Sequence, residues 1–241
     1  MLRNLIATFT LWIVFSVFHA RSLHACGVSG ADGVALCNLA EGHERVRPRW
    51  AISTGAVFTS TTIKFDNGIQ ADQIRRATSV SLAYMPTAQL TFQAGLGASL
   101  GGSLAMPNGT HNFAAGPAAL LGASWLMSSG RTFIILQSLL TYSAARTQYL
   151  DESSVSYQAY DLRVGVSAGL KFSMFRAYIP VRVFGGPILW QYQGNAIVGT
   201  DLYHYQGGAG FAAQVVDRLN FFAEGMALGE RSVSFGASLV F

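Results

Sequence analysis

Few side chains in this 241-residue chain could perform chemistry, because only 12% of the residues are charged. The segment "YDLRVGVSAG" carries Asp161 and Arg163, and its last five residues match the G-x-S-x-G motif, in which a serine, here Ser167, acts as a nucleophile. That motif works at a sharp turn between a strand and a helix. Ser167 lies instead inside a run of alternating apolar and polar residues. We interpret the match as a coincidence and predict no catalytic residue.

The N-terminus, "MLRNLIATFTLWIVFSVFHA", has the layout of a secretory signal peptide. Arg3 precedes an apolar stretch from Leu5 to Phe18, and a polar region follows before Cys26. This stretch is too short for a transmembrane helix, which needs about 20 apolar residues. We therefore predict a signal peptide over residues 1–25, a periplasmic leader over residues 26–48 and a membrane domain over residues 49–241.

The two cysteines, Cys26 and Cys37, are the other reactive residues. An even pair at this close spacing in an exported chain most simply closes a small disulfide loop, and we predict this pairing. The alternative is lipidation, since "LHAC" loosely resembles a lipobox with Cys26 as the acylated residue. His43 and Glu44 follow, but their spacing fits no zinc template, so we predict no metal site.

Composition and charge narrow the class of protein. With 51% hydrophobic residues and 12% charged, the chain is poorer in charge than soluble proteins, where about 25% is usual. The net charge is +4, yet the 16 lysines and arginines are scattered along the sequence and form no basic stripe. Composition thus favours a membrane protein over nucleic-acid binding. The sequence has no nucleotide-binding loop, so no cofactor is predicted.

Hydropathy alternates with a period of two along much of residues 49–241. In "AQLTFQAGLGASLG", which starts at Ala88, every second residue is apolar, and the residues between are polar or small. Only a strand, whose successive side chains point to opposite faces, separates the two sets. An aspartate should therefore block membrane insertion at Leu96 or Val164 and be far better tolerated at Gly97 or Gly165.

Strands in lipid must close into a ring, because unpaired backbone groups are costly there. We predict an all-β fold, a closed antiparallel transmembrane β-barrel of about ten strands, with eight as the alternative. Tight turns are expected at the periplasmic end and longer loops outside. The predicted strands cover residues 49–65, 73–85, 88–101, 112–127, 131–146, 156–172, 176–191, 203–216, 219–228 and 231–241. The predicted loops lie near residues 66–72, 102–111, 147–155 and 193–202.

The last residues, "SFGASLVF", resemble the C-terminal targeting signal of bacterial outer-membrane barrels. The motif has a polar Ser234, then Gly236, and then the apolar Leu239 and the aromatic Phe241 in alternation. With the signal peptide and the strand pattern, it gives residues 49–241 a resemblance to the small OmpA-like and OmpW-like barrels. The resemblance implies assembly by the barrel-assembly machinery into the outer membrane of a Gram-negative bacterium. The expected surroundings are membrane lipid and lipopolysaccharide, and we expect a monomer.

Polar residues on the opposite face of the strands are predicted to line the lumen. We predict a network of ion pairs among Asp161, Arg163, Lys171, Arg182 and Glu224, since buried charges must pair or meet water. Such a network either fills the barrel or lines a narrow, porin-like path for small solutes. The other residues predicted to face inward are Arg75, Gln93, Gln137, His204, Gln206 and Gln214, together with the large side chains of Phe184, Trp190, Phe222 and Met226.

The sequence therefore predicts an integral outer-membrane barrel that is a structural protein or a narrow pore. A surface adhesion or partner-binding barrel is the first alternative. An enzyme similar to the ten-stranded omptin proteases, or one that modifies lipid, is the second, since carboxylates and histidines can meet at the outer rim. Asp201 and His204 face opposite sides of a strand, however, and the paired acidic motif of the omptins is absent from the first loop. We therefore do not predict an enzyme.

Overall fold

The computed structural model describes residues 28–29, 34–35, 49–128, 131–148, 154–216 and 218–241. In these ranges the chain forms strands and turns, and none of them contains a helix long and apolar enough to cross a membrane. The strands are β1 (Val28–Ser29), β2 (Val34–Ala35), β3 (Arg49–Phe65), β4 (Gln70–Met85), β5 (Leu90–Met106), β6 (Gly109–Phe113), β7 (Gly116–Ser128), β8 (Thr132–Gln148), β9 (Val155–Phe172), β10 (Phe175–Gly185), β11 (Ile188–Tyr192), β12 (Asn195–Asp201), β13 (Tyr205–Val216), β14 (Leu219–Gly229) and β15 (Arg231–Val240).

Strands β3 to β15 form one antiparallel sheet that closes on itself. The ring closes between β15 and β3, where Trp50 and Phe241 exchange both backbone hydrogen bonds, at 3.1 and 2.9 Å. Three pairs of short strands, β6 with β7, β10 with β11 and β12 with β13, each continue one another across a bend of a few residues. The wall therefore has ten strands, which confirms the predicted barrel. The two ends are named here by the predicted orientation: the end that holds Phe241 is called the periplasmic end, and the opposite end is called the extracellular end.

The barrel narrows from ten strands to eight toward its extracellular end. The β14–β15 hairpin turns at Glu230, and the pairing of β15 with β3 stops at Ser60. Above this turn, β12 pairs directly with β3 over residues 63–65. The wall there consists of β3, β4, β5, β6, β8, β9, β11 and β12. The last hairpin is thus covered by β12 and does not reach the extracellular rim.

The outer face of the wall is apolar, as the alternation predicts. On β5, Leu96 exposes 74% of its surface, whereas Thr91 on the opposite face exposes 1%. A wall whose backbone is fully paired and whose outer side chains are apolar is suited to the hydrocarbon core of a bilayer. The outward apolar belt includes Ile52, Phe58, Val80, Leu82, Phe92, Leu100, Leu121, Leu140, Leu162, Val164, Ile179, Val183, Phe211, Val233, Phe235 and Leu239.

The extracellular connections are shorter than predicted. Residues 102–111 and 193–202 are mostly strand, because β5 meets β6 at residues 107–108 and β11 meets β12 at residues 193–194. The composition of both segments is typical of turns, which marks a turn centre but does not say how far the flanking strands extend. The predicted loop at residues 147–155 lies partly outside the described residues.

Glycines on the inner face let aromatic rings lie flat against the wall. A Cβ added to Gly210 would overlap the ring of Tyr178, and one added to Gly236 would meet the ring of Phe222. Each ring therefore occupies the space that a neighbouring side chain would need. Because both rings lie close to the backbone of the sheet, they pack in the periplasmic half of the barrel.

The structure leaves little room for a side chain at Gly97, and the predicted difference between aspartate at Gly97 and at Leu96 stays a prediction. A Cβ at this position would lie against the backbone oxygen of Thr78 and 3.1 Å from the Cβ of Ser79. Gly97 faces the lumen, as the alternation implies, but the neighbouring strand approaches it too closely for a side chain. Facing inward is therefore not sufficient for a position to accept a polar residue.

Candidate functional site in the barrel lumen

The lumen is filled in three layers. An apolar cluster at the extracellular end, here called the cap, consists of Ile63, Phe65, Ala71, Leu104, Met106, Phe113, Ala145, Tyr157, Ile188, Trp190, Tyr192 and Ile197. A second apolar cluster at the periplasmic end, here called the floor, consists of Ala51, Ala83, Met85, Leu126, Phe133, Ile135, Tyr178, Ala212, Phe222 and Val240. Charged and amide side chains lie between the two.

The cap is built around Trp190, which is fully buried where the wall has eight strands. Its ring lies 5.4 Å from that of Phe65, 5.0 Å from that of His111 and 4.7 Å from that of Tyr192, measured between centroids. The indole Nε1 donates a 2.8 Å hydrogen bond to Oγ1 of Thr147. These partners belong to β3, β6, β8 and β11, so the cap joins strands from around the whole narrowed wall.

The middle layer contains a buried ion pair between Arg182 on β10 and Glu224 on β14. The guanidinium donates two parallel hydrogen bonds to the carboxylate, at 2.8 and 2.9 Å. Arg182 also donates to Oε1 of Gln206 at 3.0 Å. Gln137 on β8 accepts from the same guanidinium when its amide oxygen is turned toward it. Arg182 thus uses its donors in the bidentate, charge-assisted geometry that holds an arginine most firmly.

A second group centres on Arg163 of β9. Its guanidinium pairs with Asp161 on the same strand and donates to both oxygens of Glu230, at 2.9 and 3.1 Å. It also lies 5.0 Å from the ring centroid of Phe184, within range of a cation–π contact. Gln206 donates from Nε2 to Glu230 at 3.0 Å, and its Oε1 accepts from Arg182. One network therefore spans β8, β9, β10, β13 and β14.

The structure brings together four of the five residues of the predicted network, namely Asp161, Arg163, Arg182 and Glu224. Lys171 lies elsewhere, opposite Arg176 near the periplasmic end and about 26 Å along β9 from Arg163 at the usual rise per residue. Glu230 was missed, because a charged residue in a tight turn is usually solvated. Gly229, at φ 71° and close against the Tyr205 carbonyl, is the sequence signal of the sharp turn that aims Glu230 inward.

The other residues predicted to face inward follow the prediction with one exception. His204 lies exposed at the bend between β12 and β13, with Nδ1 3.2 Å from the backbone oxygen of Phe184. The strand alternation is interrupted at this bend, so a prediction based on period two fails there. Buried or half-buried residues are Arg75, Gln93, Gln137, Phe184, Trp190, Gln206, Gln214, Phe222 and Met226. The predicted disulfide of Cys26 with Cys37 lies outside the described residues.

A cavity of about 170 Å³ remains beside the network. Arg75 and Asp201 reach it, and Asp201 accepts a 3.0 Å hydrogen bond from Thr61. The guanidinium of Arg75 lies 5.9 Å from the ring centroids of both Phe113 and Tyr157, below the cap. The cavity is lined by both charged and apolar groups and has room for several water molecules. Much of its wall is made of small residues, including Gly55, Ser79, Gly97, Ser143, Ala159, Ser232 and Ser234.

The G-x-S-x-G match gains no support from its position. Ser167 is buried in the regular part of β9, opposite Ile135 of β8 and Pro180 of β10, and not at a strand-to-helix turn. Within the described part of the chain, no group of three or more His, Cys, Asp or Glu side chains could hold a metal ion. The charged groups around Arg163 and Arg182 are instead joined to one another.

The residues of the predicted assembly signal alternate between the lumen side and the lipid side of the last strand, β15. Ser234 is buried in the lumen, whereas Leu239 and Phe241 are exposed on the lipid side. Gly236 lies under the ring of Phe222, which gives this glycine a packing role in the barrel. Because β15 pairs with β3, the same strand closes the ring. Recognition by the barrel-assembly machinery remains a prediction.

These features together define the class of protein. The wall is closed by hydrogen bonds, its outer surface carries an apolar belt, and its ion pairs lie in the interior. Such a chain is an integral membrane protein of the β-barrel type.

Comparison with known proteins adds fold likeness alone. No protein-family model and no curated protein match the chain. It is similar to the outer membrane protease OmpT from Escherichia coli, with 9% identity, a TM-score of 0.49, and coverage of 85% of this chain and 100% of that one. It is also similar to the outer membrane protein OprG from Pseudomonas aeruginosa, with 10% identity, a TM-score of 0.42, and coverage of 80% and 95%. Likenesses this distant assign no activity to the chain.

Proposed function

We propose that the protein is a structural outer-membrane barrel whose lumen is closed to the free diffusion of solutes. The observation that carries this proposal is the cap. Phe65, His111, Thr147 and Trp190 come from four strands spaced around the narrowed wall, and they meet in the middle of the lumen. A path along the barrel axis would have to pass through this cluster.

The layer below the cap supports the same conclusion. A solute that passed through would have to separate buried charges from their partners, and loss of one partner of a buried pair costs about 3–5 kcal/mol. Arg182 and Arg163 each have a carboxylate at hydrogen-bond distance, and Gln206 connects the two pairs. We therefore assign the network to filling and fixing the interior.

The proposal is tested by the swelling of liposomes that contain the refolded full chain in small sugars. We expect swelling no faster than in protein-free liposomes. A general porin reconstituted in parallel shows that the assay detects an open barrel, and heat-dependent gel mobility shows that this protein has folded. Swelling that depends on the size of the sugar would overturn the proposal.

A narrow path for small solutes is the second candidate, and the cavity beside Arg75 and Asp201 favours it. This candidate requires that the cap open, so it predicts sugar-dependent swelling in the same assay. A surface-adhesion barrel receives less support, because the connections at residues 107–108 and 193–194 have two residues each. Those turns offer little surface to a partner.

A further inference from the structure

Two charged side chains that line the lumen cavity have no ion-pair partner. Arg75, on β4, lies near the rings of Phe113 and Tyr157. Asp201, the last residue of β12, accepts a 3.0 Å hydrogen bond from the hydroxyl of Thr61. Among the residues that the structure describes, neither Arg75 nor Asp201 forms a salt bridge. The two other arginines of the lining each bind a carboxylate. Arg75 and Asp201 therefore face the cavity as uncompensated charges.

These two side chains are too far apart to pair with each other. Strands β4 and β12 lie on either side of β3, with Arg75 opposite Thr59. Asp201 is opposite Ile63, which lies further along β3 toward the extracellular end. At the usual rise per residue and strand spacing, the Cα atoms of Arg75 and Asp201 are about 16 Å apart. An arginine and an aspartate side chain together do not span this distance, so only a molecule of several atoms could connect them.

The space between the two charges has the size of a small molecule. The cavity has a volume of about 170 Å³. Since one water molecule needs about 10–15 Å³ of such space, the cavity could hold a ligand of several non-hydrogen atoms. Asp201 is only 9% exposed, and a buried charge without a counter-charge is costly. Water fills such a space but supplies no charge, so a ligand that carries both signs would suit the cavity better.

We propose that this cavity binds a small zwitterion, with its carboxylate on Arg75 and its ammonium group on Asp201. The guanidinium of Arg75 can donate two parallel hydrogen bonds to a carboxylate, which is its strongest mode of binding. The hydrogen bond from Thr61 fixes the carboxylate of Asp201 and leaves its second oxygen for the ammonium group. Because a zwitterion has no net charge, both buried groups are compensated at once. This inference goes beyond the proposed function and does not depend on whether the lumen is closed.

Binding is tested by equilibrium urea unfolding of the refolded full chain in phosphatidylcholine vesicles. The probes are glycine, β-alanine, γ-aminobutyrate and 5-aminopentanoate, which carry the same two charges at increasing separation. A molecule that binds only the folded state moves the unfolding midpoint to higher urea. Since the protein unfolds and refolds during the measurement, the probe reaches the cavity even if the lumen is closed. We expect a saturable shift with at least one probe, and none with butyrate or butylamine, which carry one charge each.

No saturable shift with any of the four probes would overturn the proposal, and so would an equal shift with butyrate or butylamine alone. The liposome assay separates this result from the proposed function. A shift in a barrel that lets sugars pass would contradict the closed lumen and keep the binding site. A closed barrel without a shift would contradict the binding site alone.

Variants of the two charged residues locate the site. Arg75→Met and Asp201→Asn should each abolish the shift, which is measured against the same variant without the probe, so a change in basal stability does not mimic it. The matched controls are Arg76→Met and Asp72→Asn, at exposed positions on the outer face of the same strand as Arg75. Asp72, like Asp201, accepts a hydrogen bond from a threonine hydroxyl, here at 2.7 Å. Both controls should keep the shift. Arg75→Lys retains the charge and should keep part of it, whereas a full shift in Arg75→Met or Asp201→Asn would overturn the assignment.

Discussion

Arg182 and Glu224 face each other through two parallel hydrogen bonds, with side chains that are 2% and 3% exposed. They lie in a ten-stranded section of the barrel, between an apolar cap and an apolar floor. Because neither charge can reach bulk water, each depends on the other. The pair is therefore the natural starting point for tests of how the lumen is held together.

Replacement of Arg182 by methionine should destabilise the folded barrel by about 3–5 kcal/mol, because the carboxylate of Glu224 would stay buried without its partner. The double variant Arg182→Met, Glu224→Leu should recover most of this loss, since no charge is then left unpaired. Urea unfolding in lipid vesicles, followed by tryptophan fluorescence, measures both. Arg231→Met, at an exposed position, is the control and should change stability by less than about 0.5 kcal/mol. A double variant as unstable as the single one would contradict the assignment.

The substitution Thr147→Val should weaken the cap. It keeps the shape of the side chain but leaves the indole N–H of Trp190 without its acceptor, at a cost of about 1–3 kcal/mol. Thr147→Ser retains the hydroxyl and should cost less. The comparison uses the same urea unfolding experiment. If valine and serine have equal effects, the hydrogen bond does not contribute to the cap.

The contact between Tyr178 and Gly210 predicts a non-additive pair of substitutions. Gly210→Ala should destabilise the barrel, because the new methyl group would overlap the tyrosine ring. Tyr178→Ala should remove this overlap, so Gly210→Ala should cost less in that background. A double-mutant cycle should give a coupling energy of about 0.5–3 kcal/mol. Gly225→Ala is the matched control, since nothing lies within 4 Å of its added Cβ. Additive effects would show that the ring does not lie over Gly210.

A lysine placed at a lipid-facing position and at a lumen-facing position tests the directions of these wall residues. Leu96→Lys places an ammonium group on the lipid face and should cost about 2–4 kcal/mol near the bilayer midplane. Ser79→Lys directs the same group toward the lumen cavity, whose lining includes the carboxylates of Asp161, Asp201, Glu224 and Glu230. This substitution should therefore be better tolerated. The measurement is the fraction of protein that folds into vesicles, read from heat-dependent gel mobility. Equal fractions would contradict the assigned directions of Leu96 on β5 and Ser79 on β4.

Much of the fold follows from the local pattern of the sequence. The alternation on β5 and β9 identifies both the strands and their lipid-facing sides, because a paired wall in lipid leaves no other arrangement. The same alternation places Asp161, Arg163, Arg182 and Glu224 inside, where charge requires that they pair. These features depend only on residues close together in the chain.

The remaining features depend on which strands are neighbours at a given position along the barrel axis. Glu230 enters the network because the β14–β15 hairpin stops early and β12 closes over it onto β3. The local sequence does not indicate that β12 pairs with β3, which is far away in the chain. His204 is exposed for a related reason, since it lies at the bend where the wall strand passes from β12 to β13. Gly97 rejects a side chain because a strand paired with it approaches closely.

The central claim is that the lumen is closed, and single-channel conductance tests it most directly. The refolded full chain, with its fold verified by heat-dependent gel mobility, is inserted into a planar lipid bilayer under an applied voltage. The structure predicts a silent membrane, because Trp190 and its partners close the narrow end and the pairs of Arg182 and Arg163 fill the layer below. Reproducible conductance steps from the folded protein would contradict this and would show that the cavity beside Arg75 and Asp201 is part of an open path.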